Sequence, residues 1–323
     1  MIKLQLSKLI ITLHVFIITS YAFSNNYQNW LNNLSEEALE YGVSQKTYTD
    51  IISNLKKPNK KVLKYYNNQP EFKITFDDYY NRNISTKRVN KGKKLLLKHK
   101  TLLDQIVKDF FVPAEIIVSI WGIETNYGSY IGNFSIIDSL ATLAYGSKRK
   151  KYFKKEFFNS LLIIDKKYIS YDNMIGSWAG AMGQSQFMPS SFLEYAVDYN
   201  NDKKIDLWNS YEDIFASIAN YLSRHGWNKK EYWSAEYYSN DSFLNKLDDK
   251  QLYSNKLLKN NSNNKLFINH LDDKLSTQIK IIKKNPNKRS FLIFNNFNVI
   301  KKYNNSDFYA LVVGALANNI KLK

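Results

Sequence analysis

The sequence predicts a mainly α protein with a small β-containing part. Apolar residues recur at helical spacing from Tyr27 to about Trp227, serine and proline stand where helices would start, and strand-like runs gather near the C-terminal end. In chain order, Ser35–Tyr41 and Ser44–Leu55 each begin on a serine, a residue that caps helix starts, and Ser85–Lys108 follows in the same way. Pro113 opens the next helix at its first position, where the missing N–H costs nothing, and that run continues to Tyr127. Further helices are predicted over Lys151–Tyr168, Pro189–Val197 and Tyr211–Arg224, the last stopped by Gly226. From about 229 to 288 the chain is rich in Asn, Lys and Asp with few periodic blocks, which predicts a peripheral lobe folded in part. Phe291–Phe294 and Val299–Tyr303 then predict two strands around an Asn-rich turn, before a closing helix from Ser306 to about Asn318.

Met1–Ala22 carries Lys3 and Lys8, an apolar stretch over Leu9–Ile18 and a small-residue pattern at Ser20-Tyr-Ala22, so residues 1–22 read as a cleaved secretory signal, with an uncleaved anchor as the competing reading. The predicted organisation is then a helical region over 23–228, the Asn/Lys-rich lobe over 229–290, and a strand pair with a closing helix returning to the core over 291–323. The chain has no cysteine, which excludes disulfides, a thiol nucleophile and a cysteine-borne lipid anchor. Net charge is +17, from 46 Lys and Arg against 29 Asp and Glu, a balance that favours polyanions. Nucleic acid is not the expected partner, because the basic residues are scattered in short runs such as Lys148–Lys151 and no nucleic-acid motif is present. The four histidines show no zinc spacing.

Glu124 is the leading chemical candidate. It ends an apolar helical run, with Ile117, Ile120 and Trp121 seven, four and three residues before it on the same face. Apolar surroundings disfavour the ionised carboxylate and raise its pKa, which suits a general acid. Spacing alone leaves a second reading open, a helix-end Glu turned to solvent or paired with a lysine. The segment Gly176-Ser-Trp-Ala-Gly-Ala-Met-Gly-Gln-Ser-Gln-Phe-Met-Pro-Ser-Ser191 opens with three glycines and two alanines in eight residues, so a flat ligand or another backbone can approach it closely. Its Gln and Ser supply neutral hydrogen bonds, and Trp178 and Phe187 supply faces. A sugar fits that mixture, and so does a tight helix-packing loop. A serine-hydrolase elbow is excluded, because Gly183-Gln-Ser-Gln-Phe187 lacks the second glycine.

Four blocks in order carry a resemblance: Trp121-Gly-Ile-Glu-Thr-Asn-Tyr-Gly128, Ile137–Ala144, Gly176–Ser191 and Ala219–Trp227, with weaker echoes at Gln69–Phe72 and Tyr303–Ser306. Together they resemble the B-type lytic murein transglycosylases. The resemblance implies a lysozyme-like helical catalytic core with additional helical and small peripheral lobes. It implies cleavage of the β-1,4 bond between N-acetylmuramic acid and N-acetylglucosamine in peptidoglycan, leaving 1,6-anhydromuramoyl ends, with Glu124 serving as acid and then base. By motif position it assigns Ser177 and Gln186 to the N-acetyl group and sugar, Lys148 and Arg149 to acidic groups of the glycan or its peptide, and Tyr221 and Tyr303 to the groove. Asn298 departs from the pattern, standing where relatives often carry an aromatic residue. The expected setting is the periplasm of a Gram-negative bacterium, the expected partners are peptidoglycan glycan strands and other cell-wall enzymes, and a monomer is expected. A water-using muramidase, a non-catalytic murein-binding protein and a basic polyanion binder are the competing readings. Asp138 falls in a family-like block, where capping or bracing competes with any second acid role.

No cofactor is required by this chemistry. Asp198, Asn200, Asp202 and Lys204, with Asp213 on the next helix, resemble the start of a calcium loop closed by a late carboxylate. Lys203 occupies the position where such loops turn on glycine, and Asn209 the position of the bidentate Glu. A metal-free Asx-rich turn is the competing reading.

Overall fold

The computed structural model describes residues 26–68, 74–237, 243, 246–248, 251–261, 276–281 and 290–322. The expected export signal, the Gln69–Phe72 block and much of the Asn/Lys-rich lobe lie outside the described residues. Among the described residues, no helix is long and apolar enough to cross a membrane.

Two compact units divide the chain, each assembled from separate segments. The first takes the N-terminal part up to Gln69 together with Ile131–Glu194 and Lys204–Trp208. Its helices are Ser35–Glu40, Gln45–Ile52, Lys60–Asn67, Ile136–Gly146, Lys150–Asp165 and Pro189–Tyr195, after a helical stretch over 26–33. Ile136–Gly146 buries almost every residue and packs against Lys150–Asp165, so Leu140, Phe157, Phe158 and Leu161 form the core. Ser44 caps the second helix by accepting from the Thr47 N–H, while its own hydroxyl donates to Asp165 at 2.6 Å. β1 (Phe134–Ser135) pairs antiparallel with β2 (Ile175–Gly176), setting Phe134 opposite Gly176.

The second unit comprises Pro70–Tyr130, Tyr195–Lys203 and Asn209–Lys323. Ala114–Thr125, the helix that ends beside Glu124, is buried on most of its circumference, as a helix apolar all round must be. It packs against the closing helix Asp307–Ile320, the helix Thr86–Lys98, and Tyr211–Arg224. β3 (Ser234–Tyr237), β4 (Leu252–Ser254), β5 (Ser276–Ile281) and β6 (Ser290–Ile293) form one antiparallel sheet in the order β3-β6-β5-β4.

Several sequence expectations are corrected here. Val299–Tyr303 is not a strand but the end of a helix, Asn295–Tyr303. The β-branched pair Val299-Ile300 suggested a strand, but Asn296, Phe297, Val299 and Ile300 are all buried at helical spacing, and packing overrides propensity. The predicted strand pair of 291–323 is therefore absent. β6 instead joins β3 and β5, so the boundary drawn at 290 falls inside a sheet. Ser85–Lys108 is two helices, Thr86–Lys98 and Lys100–Phe110, broken where the His99 ring packs on Trp121, Tyr211 and Phe215. Pro113 is the extended N-cap residue, one position before the helix it was expected to begin. Lys60–Asn67 and Phe76–Asn83 are helices that the periodicity did not single out. Tyr211–Arg224 has the expected bounds, with Gly226 at φ 91° just beyond.

Candidate active site

Glu124 sits one residue before the end of its helix, which stops abruptly. Asn126, Tyr127 and Gly128 adopt φ of 50°, 59° and 73°, three consecutive left-handed residues that reverse the chain. The reversal folds the Tyr127 ring back beneath the helix, where its hydroxyl donates to the Arg88 carbonyl at 3.0 Å. Room for that ring comes from two small residues: a Cβ on Gly122 would lie 2.6 Å from it, and one on Gly92 would lie 2.5 Å from its hydroxyl. Lys91 donates to the Asn126 carbonyl at 2.9 Å, a cation placed where the helix dipole leaves negative charge. Trp121, fully buried against Phe215 and Tyr211, fixes the preceding turn. The carboxyl thus projects from a clamped helix end, itself half-buried.

Among its partners is Tyr309, whose hydroxyl donates to Glu124 Oε1 at 2.6 Å. Tyr303 lies parallel to Tyr309 at 6.5 Å, and Tyr221 meets Tyr303 edge-on at 4.9 Å. Burial first, and then the charge of Glu124, hold the phenols of Tyr303 and Tyr309 well above the ordinary tyrosine range. Both phenols therefore stay protonated near neutral pH, and Tyr309 donates to the Glu124 carboxyl. Tyr221 is largely buried, and its hydroxyl donates to the Lys302 carbonyl at 2.6 Å. Its role in this unit is to fix the Tyr303 segment. Tyr309 has no counterpart among the sequence candidates, because nothing local distinguishes it from the other tyrosines.

In the first unit, the Gly-rich loop follows β2. Gly183 has φ 61°, and a Cβ there would lie 2.5 Å from the Leu207 carbonyl, so only glycine fits. Ser177 Oγ accepts from the Ala181 N–H at 2.9 Å. Gln186, itself left-handed at φ 52°, donates through Nε2 to the Ile131 and Gly183 carbonyls at 3.1 and 2.9 Å. Both residues therefore build the loop, whatever else they do. Beneath them, Gln184 donates to the Trp208 carbonyl and the Trp208 indole donates to the Ile175 carbonyl. Glu156, buried, receives the Ser190 N–H and hydroxyl at 2.9 and 2.7 Å and closes the loop's far end. Lys148 is exposed, and the Arg149 guanidinium lies 4.1 Å from the centre of the Tyr152 ring. Asp138 is half-buried, its carboxyl pushed up by burial against the Ser135 and Tyr171 hydrogen bonds. Its N–H is capped by Ser135, which is a bracing position.

The turn beginning at Asp198 is ordered by its own side chains. Asp198 accepts from the Asp202 and Lys203 N–H groups, and Asn200 accepts from that of Asp202. Lys203 takes φ 71°, the left-handed bend expected of a glycine. Asp213 is fully buried and accepts from the Tyr199 N–H at 2.9 Å. Lys204 belongs to the first unit. Among the described residues, no group of three or more His, Asp or Glu is placed to hold a metal ion.

Residues 26–318 match the Transglycosylase SLT domain family. Over 152 residues the chain is 40% identical to membrane-bound lytic murein transglycosylase B of Escherichia coli (strain K12), a match covering 47% of this chain and 42% of that relative. Among solved structures, SltB3 of Pseudomonas aeruginosa in complex with NAG-anhNAM-pentapeptide is similar with a TM-score of 0.82 at 31% identity, covering 91% of this chain and 79% of the other. The Escherichia coli lytic transglycosylase Slt35 in complex with calcium is similar with a TM-score of 0.76 at 30% identity, covering 93% and 94%.

Proposed function

The chain belongs to the transglycosylase SLT domain family, with B-type lytic transglycosylases as its relatives, and on that premise we propose that it cleaves peptidoglycan without consuming water. The observation that carries the proposal is Glu124, held by the Tyr309 hydroxyl at 2.6 Å on a clamped helix end. A hydrolase ordinarily divides the work between two carboxylates. Here one carboxyl does both steps. Protonated Glu124 gives its proton to the β-1,4 oxygen between N-acetylmuramic acid and N-acetylglucosamine, and the C1–O bond breaks. The neighbouring N-acetyl carbonyl steadies the sugar cation. Glu124, now a carboxylate and a hydrogen-bond acceptor of Tyr309, takes the proton of the muramoyl 6-hydroxyl, whose oxygen closes onto C1 as the 1,6-anhydro ring. The relative solved with an anhydro-muramoyl ligand supports that product.

By motif position we assign Ser177 and Gln186 to the N-acetyl group and sugar, Lys148 and Arg149 to acidic groups of the glycan or its peptide, and Tyr221 and Tyr303 to the groove. The net positive charge suits glycan strands that carry peptide carboxylates, and we place the protein in the periplasm as a monomer with its signal removed. Calcium is a separate proposal. Oxygen donors at Asp198, Asn200, Asp202 and Asp213 suit that ion, and Lys203 already holds the needed bend. The ion would brace the turn, and no catalytic step runs through it.

Mass spectrometry of fragments released from purified murein tests the central reading. Anhydromuramoyl ends are expected. Reducing muramoyl ends would make the protein a muramidase, and an absence of fragments would make it a binder.

A further inference from the structure

Outside the residues assigned to the reaction, the first unit gathers three aromatic rings from three separate segments. Tyr65 stands in the last turn of the helix Lys60–Asn67, Phe134 in β1, and Trp178 in the loop after β2. The register of β1 on β2, with Phe134 opposite Gly176, brings the Phe134 and Trp178 segments together. Tyr65 lies 5.9 Å from Phe134 edge-on and 6.2 Å from Trp178 at 44°. Lys61, one turn before Tyr65, holds its ammonium 5.4 Å from the centre of the Phe134 ring and 5.9 Å from that of Tyr65. Tyr65 remains 40% exposed, and Phe134 and Trp178 are half-buried.

Rings of this size are normally removed from water, and three left partly exposed together beside an exposed lysine suit recognition of a ligand more than core packing. A pyranose presents an apolar C–H face to an aromatic ring and polar groups around its rim. A carboxylate on or beside that sugar is the natural mate of Lys61. Lys60 and Lys64 on the same helix add to the positive field. Trp178 also makes the surface continuous in the chain with Ser177.

We propose that Lys61, Tyr65, Phe134 and Trp178 form a second gripping surface for a carboxylate-bearing glycan strand, with a sugar ring stacked on Tyr65 and Trp178. The proposal rests on the murein reading above. Its test is calorimetric titration of the Glu124→Gln protein, which cannot turn over, with soluble murein glycan strands that retain their peptide stems. Tyr65→Ala in that background is expected to weaken binding about tenfold, and Tyr65→Phe to restore most of it. Lys61→Ala, at an exposed position, is expected to weaken binding at low salt and much less at high salt. Unchanged affinity in both Tyr65→Ala and Lys61→Ala overturns the proposal. Should Tyr65→Ala not fold, unchanged affinity in Lys61→Ala alone overturns it. Weakened binding with no anhydro product from the wild type would sink the catalytic reading and leave the surface standing, while the reverse result would do the opposite.

Discussion

The Glu124 helix end and the Gly-rich loop solve different problems with opposite materials. Around Glu124 the chain uses large, titratable side chains: a carboxyl, the Tyr309 hydroxyl and the stacked Tyr303 ring. Around Gly183 it uses close backbone approach, with the Leu207 carbonyl where a Cβ would lie and the Ile131 and Gly183 carbonyls held by the Gln186 amide. The difference teaches that chemistry is sensitive to functional groups in one region and to volume in the other. Substitutions should accordingly change rates with little effect on folding in the first case, and change folding in the second.

The largest effect is expected from Glu124→Gln. Cleavage should fall by about three to four orders of magnitude, since the amide cannot cycle a proton, while melting and murein binding stay as in the parent. Activity within about tenfold of wild type would move the catalytic role elsewhere. Gly183→Ala should break the pattern from the other side. It forces a Cβ against the Leu207 carbonyl at φ 61° and should cost about 2 kcal/mol or more, seen as a melting temperature lowered by several degrees. An unchanged melting curve would show that the loop is not tuned to backbone contact.

Tyr309→Phe is the sharper probe of the first region, because it removes one hydrogen bond and little volume. A hydrogen bond to a charged group is worth about 1.5–3 kcal/mol, so kcat/KM should fall roughly tenfold to a hundredfold. Losing a donor to the ionised form also raises the Glu124 pKa. The fall in rate as pH rises through that pKa should then move to higher pH. A fall in kcat/KM without movement of the pH profile would leave Tyr309 a packing residue.

Alkaline stability is a smaller and broader effect. Tyr303, Tyr309, Tyr127, Tyr27 and Tyr48 all have phenols raised by burial. Below their ordinary pKa of about 10 both folded and unfolded chains keep those protons, so stability is unaffected. Above it the unfolded chain releases them first, and stability should fall as pH rises. A melting temperature that stays constant from about pH 9 to 11 would contradict the burial of these hydroxyls. The smallest expected effect on activity is that of calcium. Raising it to millimolar should lift the melting temperature of the wild type but not of Asp202→Ala. Identical melting in chelator and in calcium would reduce the turn to its Asx hydrogen bonds.

How far these features were legible varies with how local they are. Tyr211–Arg224 was read to the residue because a serine cap, an apolar face and a following glycine all act within a few positions. Glu124 was singled out by the apolar residues one and two turns before it. Asn295–Tyr303 was misread, since Val299-Ile300 favours a strand locally and only burial of Phe297 and Ile300 in the second unit makes it a helix. Ser177 and Gln186 were flagged as ligand contacts, yet their part in holding the loop was invisible until Ala181 and Ile131 were placed beside them.

The sequence by itself determined the mainly α class, most helix starts and stops, and the family, and it singled out Glu124 as the candidate acid. These depend on spacing and capping within a turn or two, where the covalent chain alone fixes which groups meet. Tertiary structure alone decided that Tyr309, 185 residues from Glu124, would be the hydroxyl on its carboxyl. It also decided that Tyr65, Phe134 and Trp178 would share one surface. A contact across such separations is a property of packing: many side chains must find one arrangement that buries their apolar area together, and no local pattern encodes which tyrosine ends up where.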